Sequence, residues 1–501
     1  LMRPADEAAL VMEPIERAQC EPTNKGDSKI EDDIFALGIT TYLLATGKNP
    51  FAEMPPEDFM RARLEIRTTA LLFNHAKLQP SMLEFIRGVC SDIPRERWNF
   101  SEIESWLGGN RVALRATAHT PKASRSIVLN GKEFFRARDL AAELGRKPGE
   151  IRKLVETKEL LRWLHRSLDN YELHETVNEL LEKTALTSVT DEMLAARIAI
   201  AIDPQGPIRY KGLQLMPLSI GTVLAKAFID QNTGLQQVIA EIIASDLISY
   251  WIKQPGNGGS LLHTLSKEVD QAHGYITVSG LGYGLERAIY ELQHHAPCYS
   301  ELFARYYMLS LKQLLPALDE LAADSRRPAE PLDRHAAGFL AARLGRSHES
   351  ILKSLNPNKD MATRNITVLN LLSTVQIRYG IEPLPRLCAW MAETLKPALD
   401  RFHSRALKQT LQKNLNKLTA QGDLSQLKKA IDSPEVVEGD LRGFRNAAAQ
   451  YRNLMMQIQE MNILLENKDA VGQAVGQRLA AAISVALGLV VVAASILRAV
   501  Q

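Results

Sequence analysis

The sequence is poor in cysteine, has almost no net charge, and contains only one long stretch without charged residues. Its cysteines, Cys20, Cys90, Cys298 and Cys388, stand singly with no C-x-x-C spacing, which argues against a zinc site and suits a reducing compartment. The formal net charge of +2 gives no electrostatic reason to expect nucleic acid or an acidic substrate. Hydrophobic residues make up 46% of the 501 residues and charged residues 24%, which is typical of globular domains rather than of a disordered chain.

The uncharged stretch lies near the C-terminal end. Leu479–Leu497 contains no charged residue, and Arg478 and Arg498 flank it. At about 1.5 Å of rise per residue, a helix of this length spans roughly the 30 Å hydrocarbon core of a bilayer. A single crossing segment must be helical, because its backbone polar groups have to be satisfied internally. We therefore predict one transmembrane helix over 479–497. The alternative is a buried helix of a soluble bundle, although such a helix usually has a polar face.

Small residues recur at every fourth position through the approach to this helix and through the helix itself. Such spacing places them on one stripe and lets a second helix approach closely. We predict homodimerisation through this stripe, at Gly476, Ala480, Ser484 and Gly488, with the alternative that small residues are simply common in membrane helices. The stripe begins at Gly472 and continues through Gly476, Ala480, Ser484 and Gly488.

Three motifs follow one another in the first hundred residues. D-I-F-A-L-G at Asp33–Gly38 opens a helical apolar pattern that ends at Gly47. T-G-x-x-P-F follows at Thr46–Phe51, and D-x-P-x-x-R-W stands at Asp92–Trp98. In their order and approximate spacing, the motifs resemble the C-terminal lobe of a bacterial Hanks-type serine/threonine protein kinase. The resemblance covers residues 1–107.

The resemblance implies a role for several of these residues. Asp33 would lie on the long central helix of the lobe and accept backbone N–H groups of the catalytic loop. Arg97 would be the buried arginine that pairs with a glutamate at the end of the activation segment. Glu16 is the first candidate for that glutamate and Glu13 the second, because M-E-P-I-E stands where Ala-Pro-Glu is expected. Without the resemblance, Asp33 is an ordinary helix cap and Arg97 a solvated surface charge. The residues assigned to the framework of the lobe are Glu16, Asp33, Gly38, Arg97 and Trp98.

Kinase catalysis requires a glycine-rich loop, a strand lysine, an H-R-D loop and a metal-binding D-F-G motif. None of them precedes the three motifs, and His165-Arg166-Ser167 lies downstream without the aspartate. We therefore expect residues to be missing before Leu1, and we predict no catalytic, ATP-binding or metal-binding residue in this sequence. The resemblance implies that the full-length protein uses ATP and Mg²⁺ to phosphorylate serine or threonine of protein substrates. The alternative is a membrane-tethered pseudokinase that acts as a scaffold and recruits partner proteins through its helical region.

The remaining sequence predicts a mainly α protein. Ile127–Phe135 reads as a hairpin with a type I′ turn at Asn130-Gly131. The stalk is expected to break near Ser433-Pro434 and at Gly439. The predicted divisions are a partial kinase C-lobe at 1–107, a linker at 108–125, a hairpin-plus-helices module at 126–184, a helical region at 185–394, a helical stalk at 395–470 and the transmembrane helix at 479–497.

Two similar segments lie far apart in the chain. Residues 140–153 read LAAELGRKPGEIRK and residues 340–353 read LAARLGRSHESILK, with eight of fourteen positions identical. Each reads as helix, glycine turn and helix, so either a helical module occurs twice, the second time near 335–357, or the match is accidental. The first segment also resembles a DNA-binding helix-turn-helix with Lys147, Arg152 and Lys153 on its second helix. The lack of basic excess argues against that reading.

The position of the anchor predicts a topology. Residues 498–501 alone follow the span, so we expect insertion after translation, with the soluble part in the cytoplasm. Arg478 and Arg498 balance each other and do not set the orientation. The cytoplasmic side follows from the kinase resemblance, because a kinase meets ATP there, and from the unpaired cysteines.

Overall fold

The computed structural model describes residues 10–75, 77–115, 121–185 and 189–499. Helices dominate them, and their strands form two short antiparallel hairpins, which confirms the mainly α class. The chain divides into two compact units. The first consists of residues 1–317 and 330–359, and the second of residues 318–329 and 360–501.

The first unit opens, in its described residues, with six helices, and all but the first of them contribute buried side chains to one core. Ile34, Phe35 and Ile39 of α2 are buried against Phe85 and Ile86 of α5. Gly47 ends α2 in the left-handed conformation, at φ 72°, as the sequence predicts. These helices are α1 (Ile15–Ala18), α2 (Ile30–Thr46), α3 (Pro56–Glu65), α4 (Thr68–Phe73), α5 (Pro80–Val89) and α6 (Phe100–Leu107).

The segment after α6 is held at both of its described ends. Arg115 forms an ion pair of 2.8 Å with Glu102, and the buried Ala123 donates its N–H to the Phe135 carbonyl. Residues 116–120 of the predicted linker lie outside the described residues. The hairpin then forms with β1 at Ile127–Leu129 and β2 at Lys132–Phe134. Asn130 and Gly131 both have positive φ, at 53° and 75°, which confirms the predicted turn.

Helices and a second hairpin complete the first unit. Leu140 and Leu144 of α7 and Ile198 and Ile202 of α11 are buried in one core. The elements are α7 (Ala137–Arg146), α8 (Ile151–Glu156), α9 (Glu159–Arg162), α10 (Tyr171–Ala185), α11 (Asp191–Ile202), β3 (Ile208–Tyr210), β4 (Leu213–Leu215), α12 (Ile220–Ile229), α13 (Thr233–Ala244), α14 (Leu247–Ile252), α15 (Ser260–Ile276), α16 (Leu285–Leu292), α17 (Leu311–Leu321), whose last residues belong to the second unit, α18 (Arg334–Leu344) and α19 (Glu349–Leu352).

The two similar segments adopt different conformations at their shared glycine. Gly145 lies inside α7, where a Cβ would meet the Arg209 side chain at 2.4 Å. Gly345 instead follows α18 with φ 79° and faces open space. The predicted order of helix, glycine turn and helix is present in both segments, but the turn of the first lies at 147–150 and contains Gly149, at φ 44°, instead of Gly145. Gly145 allows close packing against Arg209, and Gly345 allows a left-handed backbone.

The second unit consists of helices, and the side chain of Gln376 stabilises the turn between two of them. Gln376 donates to the Gly422 carbonyl at 2.9 Å and accepts from the Leu424 N–H at 2.8 Å. Gly422, at φ 69°, ends a helix there, whereas Gly439 lies inside a helix, so the predicted break at Gly439 is wrong. The helices are α20 (Met361–Tyr379), α21 (Pro385–Thr394), α22 (Lys396–Leu399), α23 (Arg405–Gln421), α24 (Leu424–Asp432), α25 (Pro434–Glu466) and α26 (Lys468–Ala499).

Candidate functional site

Arg97 and Glu16 form a buried ion pair at the kinase-like motifs. Arg97 Nη2 donates to Glu16 Oε1 at 3.2 Å, and the Arg97 side chain is fully buried. Its Nε donates to the Ser91 carbonyl at 2.8 Å, and its Nη1 donates to the Glu31 carbonyl at 3.1 Å. The guanidinium also lies over the Phe35 ring, 5.1 Å from the centroid. The structure therefore contains the predicted contact, and Arg97 is not a solvated surface charge.

The second candidate partner of Arg97 has another role. Glu13 receives two hydrogen bonds of 2.7 Å from Lys25 Nζ, one at each carboxylate oxygen. Glu16 reaches Arg97 because Pro14 directs the chain into the short helix α1, in whose first turn Glu16 lies. The contacts thus separate the two glutamates that the sequence left as alternatives.

Asp33 lies exposed in the first turn of α2, and within the described ranges no hydrogen bond or ion pair of its side chain is present. The neighbouring Asp32 caps the helix instead, because it accepts the Lys29 N–H at 3.0 Å. Asp32 also lies 3.5 Å from Arg17 and 3.7 Å from Arg97. The reading of Asp33 as an ordinary cap is therefore wrong, and its role toward a catalytic loop stays a prediction.

Gly38 and Trp98 lie at close approaches between α2, α5 and the loop after α5. A Cβ at Gly38 would stand 2.4 Å from Cys90 Sγ, so only glycine fits without a shift. Trp98 is fully buried over Gly88, whose Cβ would stand 2.3 Å from the indole ring. The backbone N–H of Trp98 also donates to the Gly88 carbonyl at 2.8 Å. Both residues therefore contribute to packing.

A second buried ionic cluster joins the kinase-like region to the helices that follow it. Asp203 is 3% exposed and accepts hydrogen bonds from Arg209 Nη2 at 2.6 Å and Arg138 Nε at 3.1 Å. Burial acts to raise the pKa of Asp203, but the two guanidinium groups outweigh it, and the pKa is lowered. Arg209 Nη2 also donates to Gln19 at 2.9 Å. The sequence did not predict this cluster, because Arg138 is far from Asp203 and Arg209 in the chain. The available signal was Arg209, a charged residue between the apolar Ile208 and Tyr210.

Backbone contacts strengthen the same junction. The Asn24 carbonyl accepts the Met216 N–H at 2.9 Å and the Ser219 hydroxyl at 2.8 Å. Asn24 Nδ2 donates to the Gln214 carbonyl at 3.1 Å. Gln19 and Asn24 thus contact residues within 203–219, whereas Glu21 and Pro22 between them are exposed.

A cavity of about 220 Å³ lies beside this junction. Glu16 and Asp32 line it from one side, and Trp251 and Asn257 from another. Glu16 Oε2 is buried and lacks a hydrogen-bond partner within the part of the chain that the structure describes. The described lining residues include no serine, threonine, cysteine or histidine, but lysine and carboxylate side chains such as Lys25 and Asp27 line the cavity.

Arg152 of the helix-turn-helix reading, and the nearby metal-ligand types His294 and Cys298, make internal contacts or are buried. Arg152 of the helix-turn-helix reading pairs with Asp191 at 2.5 Å and donates to the Val189 carbonyl at 2.9 Å. His294 faces Glu268 at 2.9 Å, and Cys298 is buried, with its pKa raised to about 12, chiefly by burial. Among the described residues, no group of three or more histidine, cysteine, aspartate or glutamate side chains is placed to hold a metal ion.

The C-terminal helix α26 includes the predicted span. Within the described ranges it is the one helix that is long and apolar enough to cross a membrane, and none of its residues is buried. A Cβ at Gly472, Gly476 or Gly488 would meet no atom within 4 Å. Ala480 and Ser484 are exposed as well. The small-residue stripe therefore remains open in the single chain.

No protein-family model, curated protein or solved structure matches this chain.

Proposed function

We propose that this chain belongs to a membrane-anchored serine/threonine protein kinase-like protein, which in full-length form phosphorylates proteins with ATP and Mg²⁺. The buried Glu16–Arg97 pair carries the proposal. The motif resemblance names these two residues as partners although 81 positions separate them. Two unrelated surface charges would seldom meet at a buried site, because desolvation of each must be offset by the other.

The pair has a structural role in this proposal. It connects α1 to the loop before α6. Helix α1 begins within the segment Met12–Glu16, where the resemblance expects the end of an activation segment. Arg97 also bonds the carbonyls of Ser91 and Glu31, so one guanidinium joins three parts of the lobe. Such a junction would hold the activation segment while substrate and nucleotide are positioned, which is the main contribution of protein to phosphoryl transfer.

The proposal requires a strand lysine and two catalytic aspartates from residues outside this sequence. The test is phosphate transfer by the full-length protein from radiolabelled ATP, with and without EDTA. Mg²⁺-dependent labelling of serine or threonine is expected, and Arg97→Met should reduce it at least about tenfold, as expected for lost positioning of the reactants. Arg61→Met is the matched control, since Arg61 and its partner Asp58 are exposed. Replacement of any of the three required residues in the natural protein would overturn the enzymatic proposal.

A pseudokinase scaffold is the second candidate, and the junction at residues 19–24 favours it. Contacts from Arg209, Met216 and Ser219 to residues 19–24 join the kinase-like region to the helices that follow it. In this second proposal, the lobe supports the helical region that follows it, and that region recruits other proteins. Full-length protein that neither binds ATP nor transfers phosphate would support the scaffold over the enzyme.

The proposed location is a single-pass membrane protein with its soluble part in the cytoplasm. Support comes from the length and apolar character of α26 and from the absence of buried residues in it. Protease treatment of sealed inverted vesicles should digest the soluble part, whereas right-side-out cells should protect it. The proposed homodimer would pack through Gly476, Ala480, Ser484 and Gly488. Crosslinking of Ser484→Cys in membranes should exceed that of Val485→Cys, and equal yields would contradict this dimer.

A further inference from the structure

Helix α25, at Pro434–Glu466, carries many apolar side chains that stay exposed in the part of the chain that the structure describes. None of its residues is buried. Tyr451, Met455, Ile458 and Leu465 retain exposures between 48% and 68%. A helix of this length is not stabilised in water by propensity alone and normally buries an apolar face against a partner.

The spacing of this face is that of a coiled-coil seam. Six core positions alternate at intervals of three and four residues, as the a and d positions of a heptad repeat do. The interval of 3.5 residues requires a helical partner, since it keeps the seam facing a second, supercoiled helix. The positions are Ala448 (a), Tyr451 (d), Met455 (a), Ile458 (d), Asn462 (a) and Leu465 (d).

The opposite edge of the helix supports the same register. The f position Gly439 has no side chain, and the four f positions over 446–467, which point farthest from a coiled-coil seam, are polar. They are Asn446, Asn453, Glu460 and Asn467. One polar residue, Asn462, lies in the seam itself. A single asparagine at an a position favours a parallel dimer in which it meets its own copy, because an unpaired amide would be left against apolar side chains.

The connection to α26 identifies the occupant of the seam. Hydrogen bonds continue through the junction, from the Asn467 N–H to the Ile463 carbonyl at 3.1 Å and from the Val471 N–H to the Asn467 carbonyl at 3.0 Å. Two copies anchored with the same topology present this helix in the same direction and at the same height above the membrane. The next a position is Asp469, so the apolar seam ends at Leu465, before Gly472 (d) and Gly476 (a).

We infer that α25 pairs with α25 of a second copy of this chain as a parallel, in-register coiled coil. Like residues at the a and d positions face each other across the pair. Met455, Ile458 and Leu465 bury their side chains there, and the two Asn462 amides bond to each other. The inference rests on the proposed membrane anchor only for the parallel direction, and it is independent of kinase activity.

The test is disulfide crosslinking of the full chain in membranes. Ile458→Cys places a thiol in the seam, and Asn453→Cys places one on the outer edge as the matched control. A disulfide requires the two Cβ atoms to lie about 3.5 to 4.5 Å apart, so residue 458 links to itself only when the pair is parallel and in register. The native cysteines are all buried and should give little background. Mild oxidation should yield at least about ten times more covalent dimer from Ile458→Cys than from Asn453→Cys, consistent with in-register facing of d positions.

Other occupants give different results. Equal dimer yields from the two variants, or Ile458→Cys that remains monomeric, would overturn the inference, as expected if the face lay on lipid. A crosslinked species containing a different protein would overturn it as well. A positive result with Ile458→Cys and a negative one with Ser484→Cys would place the dimer contact in α25 and remove it from the membrane stripe. Phosphate transfer by the full-length protein is measured separately, so either proposal can fail alone.

Asn462→Ile provides a second measurement at an exposed position that the fold of the single chain does not need. An apolar residue at this a position should loosen the choice of register and oligomeric state. Combined with Ile458→Cys, it should lower the covalent dimer yield and add higher oligomers in crosslinking with a longer reagent. An unchanged dimer yield and oligomer size would contradict the role of Asn462.

Discussion

Arg97 Nη2 donates a hydrogen bond of 3.2 Å to Glu16 Oε1 although 81 positions separate the two residues along the chain. The pair is enclosed by α1, α2 and the loop before α6, and Phe35 lies beneath the guanidinium. It forms only when α1, α2 and the loop before α6 pack together, because Glu16 and Arg97 come from separate segments of residues 10–107. The pair is therefore a sensitive probe of that region.

Loss of Arg97 should destabilise the first unit strongly. Arg97→Met leaves the buried Glu16 carboxylate without its partner, and breaking a buried ion pair in this way costs about 3 to 5 kcal/mol. Urea unfolding of the chain in mild detergent measures the change in the free energy of unfolding. Arg61→Met removes an ion pair of 3.4 Å whose side chains are 66% and 55% exposed, so it should cost less than about 0.5 kcal/mol. Equal losses of unfolding free energy from the two substitutions would show that the buried pair stabilises the fold no more than the exposed pair does.

Gly88→Ala should also be destabilising, for a steric reason. The added methyl group would stand 2.3 Å from the ring of the buried Trp98, and overpacking of this kind costs about 1 to 3 kcal/mol. Gly274→Ala is the matched control, because this glycine lies in α15 with no atom within 4 Å of the new Cβ. Alanine favours a helix, so the control should be neutral or stabilising by up to about 1 kcal/mol. The comparison uses urea midpoints, and a stable Gly88→Ala chain would contradict the packing.

Asp139 should make stability depend on pH between about 4 and 7. Burial raises its pKa from 3.8 to about 7, with Glu65 adding to the effect. Because the folded state holds this proton more tightly, the contribution is present below about pH 4 and is lost as pH rises through about 7. Asp139→Asn should remove that dependence and raise the free energy of unfolding at pH 8 on the order of 2 kcal/mol. Glu65→Gln should lower the pKa of Asp139 and move the loss to lower pH. A pH profile unchanged by both substitutions would contradict the assignment.

The native cysteines should resist thiol reagents at neutral pH. Cys20, Cys90, Cys298 and Cys388 are all buried, and burial raises the pKa of each thiol, to about 12 for Cys20. The thiolate is the reactive form, so little of it exists at pH 7. Maleimide labelling followed by mass spectrometry should find unlabelled chain under native conditions and four labels after denaturation. Rapid native labelling would contradict the burial.

A charge within the apolar part of α26 should weaken membrane association. Val490→Arg places a cation near the middle of the predicted span, at a cost of about 2.5 to 3.5 kcal/mol by insertion measurements. Alkaline extraction of membranes measures the released fraction, which should rise for this variant. Gln473→Arg lies before the span and should leave the chain in the membrane. Unmutated chain recovered entirely in the soluble fraction would contradict the anchor.

Local structure could be predicted from the sequence where the backbone preference of one or two residues decides it. The I′ turn at Asn130-Gly131 and the end of α2 at Gly47 follow from the backbone freedom of these residues. The glycine of the two similar segments shows the limit of that reasoning. Gly145 and Gly345 share their neighbouring letters, but Arg209 packs against the first and nothing packs against the second. Only the tertiary neighbour distinguishes them.

The contacts of the candidate site were likewise predicted only in part. The resemblance predicted that Arg97 pairs with a glutamate at the end of the activation segment and ranked Glu16 before Glu13. In the structure Arg97 contacts Glu16, and Lys25 engages Glu13. The cluster of Arg138, Asp203 and Arg209 was not predicted, because it forms where α7, the end of α11 and strand β3 pack together. Pairing over long separations leaves no periodic signal in the chain.

By itself, the sequence determined the mainly helical class, the apolar C-terminal span and the pattern of motifs, because each depends on residues close together in the chain. The tertiary structure decided which charges are buried together, that Asp32 rather than Asp33 caps α2, and which glycines lie against a neighbour. The physical reason is that helix formation and bilayer spanning are governed by local hydrophobicity and length, whereas the energy of a buried charge depends on the partner that folding brings to it.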